Sequence, residues 1–175
     1  LRDALIREIC AETAALADEA AVMTALRRYK HRELLRIAYG DIIRRQTIDT
    51  VTRQISCLAD ALCEAAFRSA WRRVTELRGM PRRSDGRPAR FVILALGKLG
   101  GCELNYSSDI DLVMLSDGPG QTDGRRAISN DEFFAQLARQ ILKLLTEPTD
   151  LGVCYRVDLR LRPNGKQGPS VMGLD

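Results

Sequence analysis

From Leu1 to about Arg78 apolar residues recur at helical spacing, Gly40 is the sole glycine and there is no proline, a pattern that predicts an all-helical half. One helix is expected over the first twenty-odd residues and a second through Ala25, Leu26, Tyr29, Leu34, Leu35 and Ile37 toward Gly40. A long third helix carries Val51, Ile55, Leu58, Leu62, Ala66, Ala70, Val74 and Leu77 on one stripe. Residues 79–90 then change character, with two glycines, two prolines and a run of arginines, and read as a linker. The period shifts after it. Phe91–Leu96 is a continuous apolar run suited to a strand buried on both faces, and Ile110–Leu115 is a second. A polar loop fills 116–126, Ser129-x-x-Glu132 is a helix-starting box, and Phe133, Phe134, Leu137, Ile141, Leu144 and Leu145 form the stripe of a helix that Pro148 stops. Val153, Tyr155, Val157, Leu159 and Leu161 alternate with Cys154, Arg156, Asp158 and Arg160, which predicts a third strand, apolar on one face and mostly charged on the other. The fold class expected is α+β: a helical region over 1–78, a linker over 79–90 and a mixed-sheet core with flanking helices over 91–175.

Composition narrows the function classes. The 175 residues are 45% hydrophobic and 29% charged, ordinary for a globular chain. No apolar run approaches the ~20 residues of a membrane span. The chain opens Leu1-Arg2-Asp3, with neither an initiator Met nor a signal peptide, so it is expected to be a fragment. Five cysteines without a Cys-x-x-Cys pair, and a lone His31, complete no zinc site and fit reduced thiols in a cytoplasmic setting. Twenty-seven basic residues, 23 of them Arg, leave a net charge of +4. That excess is too modest to argue for nucleic acid, and aromatics at 5% offer no stacking platform.

The chemistry concentrates in Gly97-Lys-Leu-Gly-Gly-Cys-Glu-Leu-Asn-Tyr-Ser-Ser-Asp-Ile-Asp-Leu112. It is not a Walker A loop, and it lacks the Gly-x-Gly-x-x-Gly of dinucleotide sites. What remains is a strand, a glycine turn and a second strand opening with Asp109-Ile110-Asp111. Residues two apart in a strand share a face, so these carboxylates are expected together, ~7 Å apart along the chain. Such a pair is costly unless it shares a proton or binds cations, and oxygen ligands suit Mg²⁺ or Mn²⁺. Two ions would activate an attacking oxygen and stabilise a leaving one at phosphorus, with Asp158 as the third carboxylate. Gly100 and Gly101 amides and the Ser107 and Ser108 hydroxyls are expected to cradle phosphate. Taken singly each motif is more often structural; their order together is what signals chemistry.

That order resembles the polymerase-beta-type nucleotidyltransferases. More narrowly, Gly97–Leu112 together with Tyr155-Arg-Val-Asp-Leu-Arg-Leu-Arg-Pro-Asn-Gly165 and Gly168-Pro169 resembles the bifunctional glutamine synthetase adenylyltransferase/adenylyl-removing family, as do Leu34–Ala38 and Leu58–Leu62 in the helical half. The resemblance implies catalysis and metal binding by Asp109, Asp111 and Asp158, with Lys98, Arg160 and Arg162 neutralising phosphate charge. Of the family's two similar halves, the adenylyl-removing one has Asn at the position of Asn105 and Arg at that of Arg156, whereas the adenylylating one more often has Gly and Glu. The implied reaction is phosphorolysis of an adenylylated tyrosine of glutamine synthetase, releasing ADP. The alternatives are ATP-dependent adenylylation and an inactive nucleotidyltransferase-like binding module. The implied partners are glutamine synthetase, phosphate and ADP or ATP, and a nitrogen-signalling regulatory protein.

Overall fold

A computed structural model describes residues 1–161 and 168–174. Three helices open the chain, α1 (Arg2–Ala14), α2 (Glu19–Ile42) and α3 (Ile48–Arg78). The single long opening helix expected from the sequence is instead broken at 15–18. No glycine or proline marks that break; the Asp18 carboxylate does, accepting the Ala21 amide at 3.0 Å and starting α2. Arg72, from α3, closes the other side by donating to the carbonyls of Ala14, Leu16 and Thr13 at the end of α1. Thr47 caps α3 through the Thr50 amide, and the chain leaves α3 at Gly79 with φ 86°. Of the expected stripe, Val51 through Val74 is buried, but Leu77 is exposed, as is Leu35 on α2.

The 79–90 stretch does more than connect. It carries β1 (Pro81–Arg83), which pairs antiparallel with β4 (Gly120–Thr122), inside the segment expected as a polar loop. The main sheet sets β2 (Phe91–Leu96) antiparallel to the central β3 (Ile110–Asp117), with β5 (Val157–Asp158) and β6 (Met172–Leu174) parallel to β3. Among the described residues β2 is an edge strand, half-buried on the face of Phe91, Ile93 and Ala95, while Val92 and Leu94 are each 42% exposed on the other. The short α4 (Gly97–Gly100) continues directly from β2. α5 (Asn130–Thr146) starts where Ser129 accepts the Glu132 amide at 3.2 Å, and its whole predicted stripe is buried.

The third predicted strand shrinks to two residues. Val153 and Leu161 are exposed while Cys154 is fully buried, so the alternation fails at both ends. The Tyr155 amide donates to the Leu145 carbonyl at 2.9 Å, which ties this stretch to the end of α5 rather than to a ladder.

One apolar core runs through helices and sheet alike. All four phenylalanines and the one tryptophan of the chain gather at its seam. Phe67 and Trp71 of α3, Phe91 of β2, and Phe133 and Phe134 of α5 form a continuous set with centroids 5.3 to 5.8 Å apart. Each such pair adds about 0.5–1.5 kcal/mol beyond area burial. All five cysteines are free thiols, and burial pushes Cys154 up to about 11. Among the described residues, no helix is long and apolar enough to cross a membrane.

Candidate active site

The site sits where the ends of three strands meet. Leu96 pairs with Asp111 across β2 and β3, and Asp111 pairs in turn with Asp158 of β5. Two carboxylates thus face one another across neighbouring strands, and Asp109 stands just outside the start of β3 rather than within it. Gly97 has φ 53°, and a Cβ there would collide with the Asp111 carboxylate. Glycine takes this left-handed turn without steric cost and leaves the Asp111 carboxylate its room. The only sign of this contact in the sequence is the position of Gly97 immediately after the apolar run.

The glycine turn is packed tightly. A Cβ on Gly100 would lie 2.6 Å from the Ala95 carbonyl. The Gly101 amide donates to Gly97 O at 3.0 Å and the Glu103 amide to Lys98 O at 2.8 Å. The Gly101 N–H expected to meet phosphate is therefore engaged inside its own turn. Lys98 is exposed. The Ser108 hydroxyl accepts the Asn105 amide at 3.3 Å, a local hold on the loop, and Ser107 contributes its carbonyl rather than its hydroxyl, accepting from Arg156 at 3.0 Å.

Two arginines dominate the electrostatics. Arg156 Nε donates to Asp109 Oδ1 at 2.5 Å. Arg160 lies along Asp158, with Nε at 2.8 Å and an outer nitrogen at 2.5 Å from Oδ2. The hydrogen bond and charge of Asp158, joined by the charges of Asp111 and Asp109, raise the Arg160 guanidinium above its ordinary range. Sequence reasoning used Arg156 only to tell two halves apart and did not place it on Asp109. Arg162 lies outside the described residues.

The donor set fits a divalent cation in chemistry and in strand register: three carboxylates, hard oxygen donors, two of them directly opposed. Among the described residues no three of His, Cys, Asp and Glu gather closely enough to hold an ion, because Asp109 and Asp158 each turn to an arginine. Asp109 and Asp158 are each engaged by a guanidinium, of Arg156 and Arg160 respectively.

The helical half reaches this loop at two points. Ser56 Oγ of α3 accepts the Leu104 amide at 3.1 Å in a buried setting, and Tyr106 donates its O–H to Asp41 of α2 at 3.1 Å. Burial first, and then the Asp41 hydrogen bond, raise the Tyr106 phenol.

Known proteins match this chain over nearly all of these parts. The sequence profile of the glutamate-ammonia ligase adenylyltransferase family matches residues 2–175. The chain belongs to that family. It is 40% identical over 167 residues to the bifunctional glutamine synthetase adenylyltransferase/adenylyl-removing enzyme of Thioalkalivibrio sulfidiphilus, covering 95% of this chain and 17% of that protein. The proteins of the same name from Shewanella loihica and Nitrosococcus oceani are 39% and 38% identical, over 99% and 97% of this chain and 18% of each relative. The adenylyltransferase family match therefore takes in the helical half as well as the sheet, while the chain spans less than a fifth of the curated relatives' length.

Proposed function

We propose that this chain is a metal-dependent nucleotidyltransferase unit that removes AMP from an adenylylated tyrosine of glutamine synthetase by phosphorolysis. The observation that carries the choice of direction is Arg156 on Asp109. An incoming inorganic phosphate is an anion, and it needs positive charge beside the acidic strand ends to approach at all. A glutamate at position 156 would add repulsion there. A neutral tyrosine hydroxyl attacking ATP has no such need and gains from a carboxylate that, as general base, takes its proton.

Asp109, Asp111 and Asp158 would hold Mg²⁺ or Mn²⁺, which would supply charge neutralisation at phosphorus and activation of the attacking oxygen. Arg156 and Arg160, once released from the carboxylates, turn to phosphate oxygens with their planar forks. Lys98 adds a point charge at the glycine turn, and the Gly100 and Gly101 backbone, with Ser108, borders the phosphate. In the reaction a phosphate oxygen forms a bond to the adenylyl phosphorus, the bond to the tyrosine oxygen breaks, and the phenolate leaves and takes up a proton. ADP and free tyrosine result.

Adenylylated glutamine synthetase, Mg²⁺ and phosphate mixed with the chain are expected to yield ADP, measured by chromatography. Pyrophosphate from ATP and unmodified enzyme, with no ADP in the first assay, would select the opposite direction. Asp109→Asn is expected to cut the ADP rate by about a hundredfold or more with unchanged circular dichroism. Comparable turnover in that variant removes the carboxylate mechanism.

A further inference from the structure

Five large apolar side chains stand exposed together at the tip of the α2–α3 hairpin. Leu35, Tyr39 and Ile42 follow one another at steps of four and three on one face of α2, Ile43 caps its end, and Ile48 opens α3 five residues on. They are 74%, 54%, 72%, 63% and 69% exposed. Scattered exposed apolar residues need no explanation, but a contiguous set does. Ile37 and Gly40, on the opposite side of the same turns, are buried, so the helix has already met its packing requirement without this face.

The border of the patch is basic. Arg44 and Arg45 lie in the connection and Arg53 in the second turn of α3, all exposed, and none makes an ion pair among the described residues, while Asp49 is the one exposed acid between them. Arg44 rests over the Tyr39 ring at 5.8 Å. The tip is also continuous with the candidate active site: Asp41, in the same turn as Ile42, accepts from Tyr106, which precedes Asp109 by three residues.

We propose that this tip is a docking surface for the protein that carries the adenylylated tyrosine, and that it receives an apolar segment of that protein with carboxylates at its margins. The inference rests on the phosphorolysis reading for the identity of the partner. Apolar burial supplies the affinity, the three arginines select acidic margins, and the distance of three residues to Asp109 places the docked protein beside the strand ends.

The test compares wild type with the paired substitution Ile42→Glu and Ile43→Glu. With adenylylated glutamine synthetase as substrate, KM is expected to rise about tenfold or more, with kcat unchanged and with KM for phosphate and for a short adenylyl-tyrosine peptide unchanged. Equal KM for the protein substrate, or the same rise for the peptide, overturns the proposal. Binding separates its failure from failure of the proposed reaction. By surface plasmon resonance on immobilised adenylylated glutamine synthetase, wild type and the control Leu77→Glu, at the far end of α3, are expected to bind and the double variant to lose binding, whether or not ADP is formed. No binding by wild type overturns the docking surface. So does a double variant that binds normally but changes from dimer to monomer in sedimentation, since the tip then pairs two copies of this chain.

Discussion

Residues 147–155 and residues 156–160 follow one another in the chain, and basic side chains hold both, yet by opposite means. The first stretch lies on a buried seat provided by α2. Arg27, fully buried, donates to the carbonyls of Gly152 at 2.7 Å, Leu144 at 3.1 Å and Met23 at 2.9 Å, and to that of Glu147. Lys30 donates to the Cys154 carbonyl and lies over the Tyr155 ring at 4.2 Å; burial pulls its ammonium below the usual range. Neutral carbonyls satisfy these cations where water does not compete. The second stretch holds Asp109 and Asp158 through Arg156 and Arg160, both largely exposed. The Arg156–Asp109 pair, exposed on both sides, is worth only about 0–1 kcal/mol. The difference teaches which part is scaffold and which part is free to exchange partners: the seat fixes where β5 begins, and the exposed pairs would yield to the phosphate or cation of the proposed reaction at small cost.

Arg27→Met breaks the scaffold side of this contrast most severely. It leaves buried carbonyls without donors, and an unfolding free energy lower by about 3–5 kcal/mol is expected from denaturant titration. A loss under 1 kcal/mol would put the seat on the same footing as the exposed pairs. Ser56→Ala tests the link from α3 to the signature loop, where the Leu104 amide would lose its buried acceptor; about 1–3 kcal/mol is expected by the same measurement. At the exchanging end, Arg156→Gln is expected to change stability by no more than about 0.5 kcal/mol, while KM for phosphate in the ADP-forming assay rises. An unchanged phosphate KM would make Arg156 a bystander and erase the distinction at its functional end.

The elements legible in the sequence are those whose cause is local. The start of α5 is encoded by Ser129 and its length by an uninterrupted stripe. The turn after β2 is visible from its glycines. Elements that depend on distant partners were misread. The alternation over 153–161 looked like a strand because nothing local reveals that Lys30 and Leu145 draw Cys154 and Tyr155 toward the helices. Leu35 counted as core because periodicity places a residue on a face without showing whether anything covers that face. At the site, the order of the aspartates was readable, while the register that sets Asp111 opposite Asp158 and leaves Asp109 outside β3 was not. That Asp109 and Asp158 prefer arginines to one another depends on side-chain reach between segments 47 residues apart in the case of Arg156, which spacing alone does not encode.

The aromatic seam has a practical side. Trp71 is the only indole in the chain, and it stands edge-on to Phe133 at 5.6 Å, where α3 meets α5. Its fluorescence emission therefore serves as a built-in reporter of whether the helical half and the sheet half are seated on each other, read without any label.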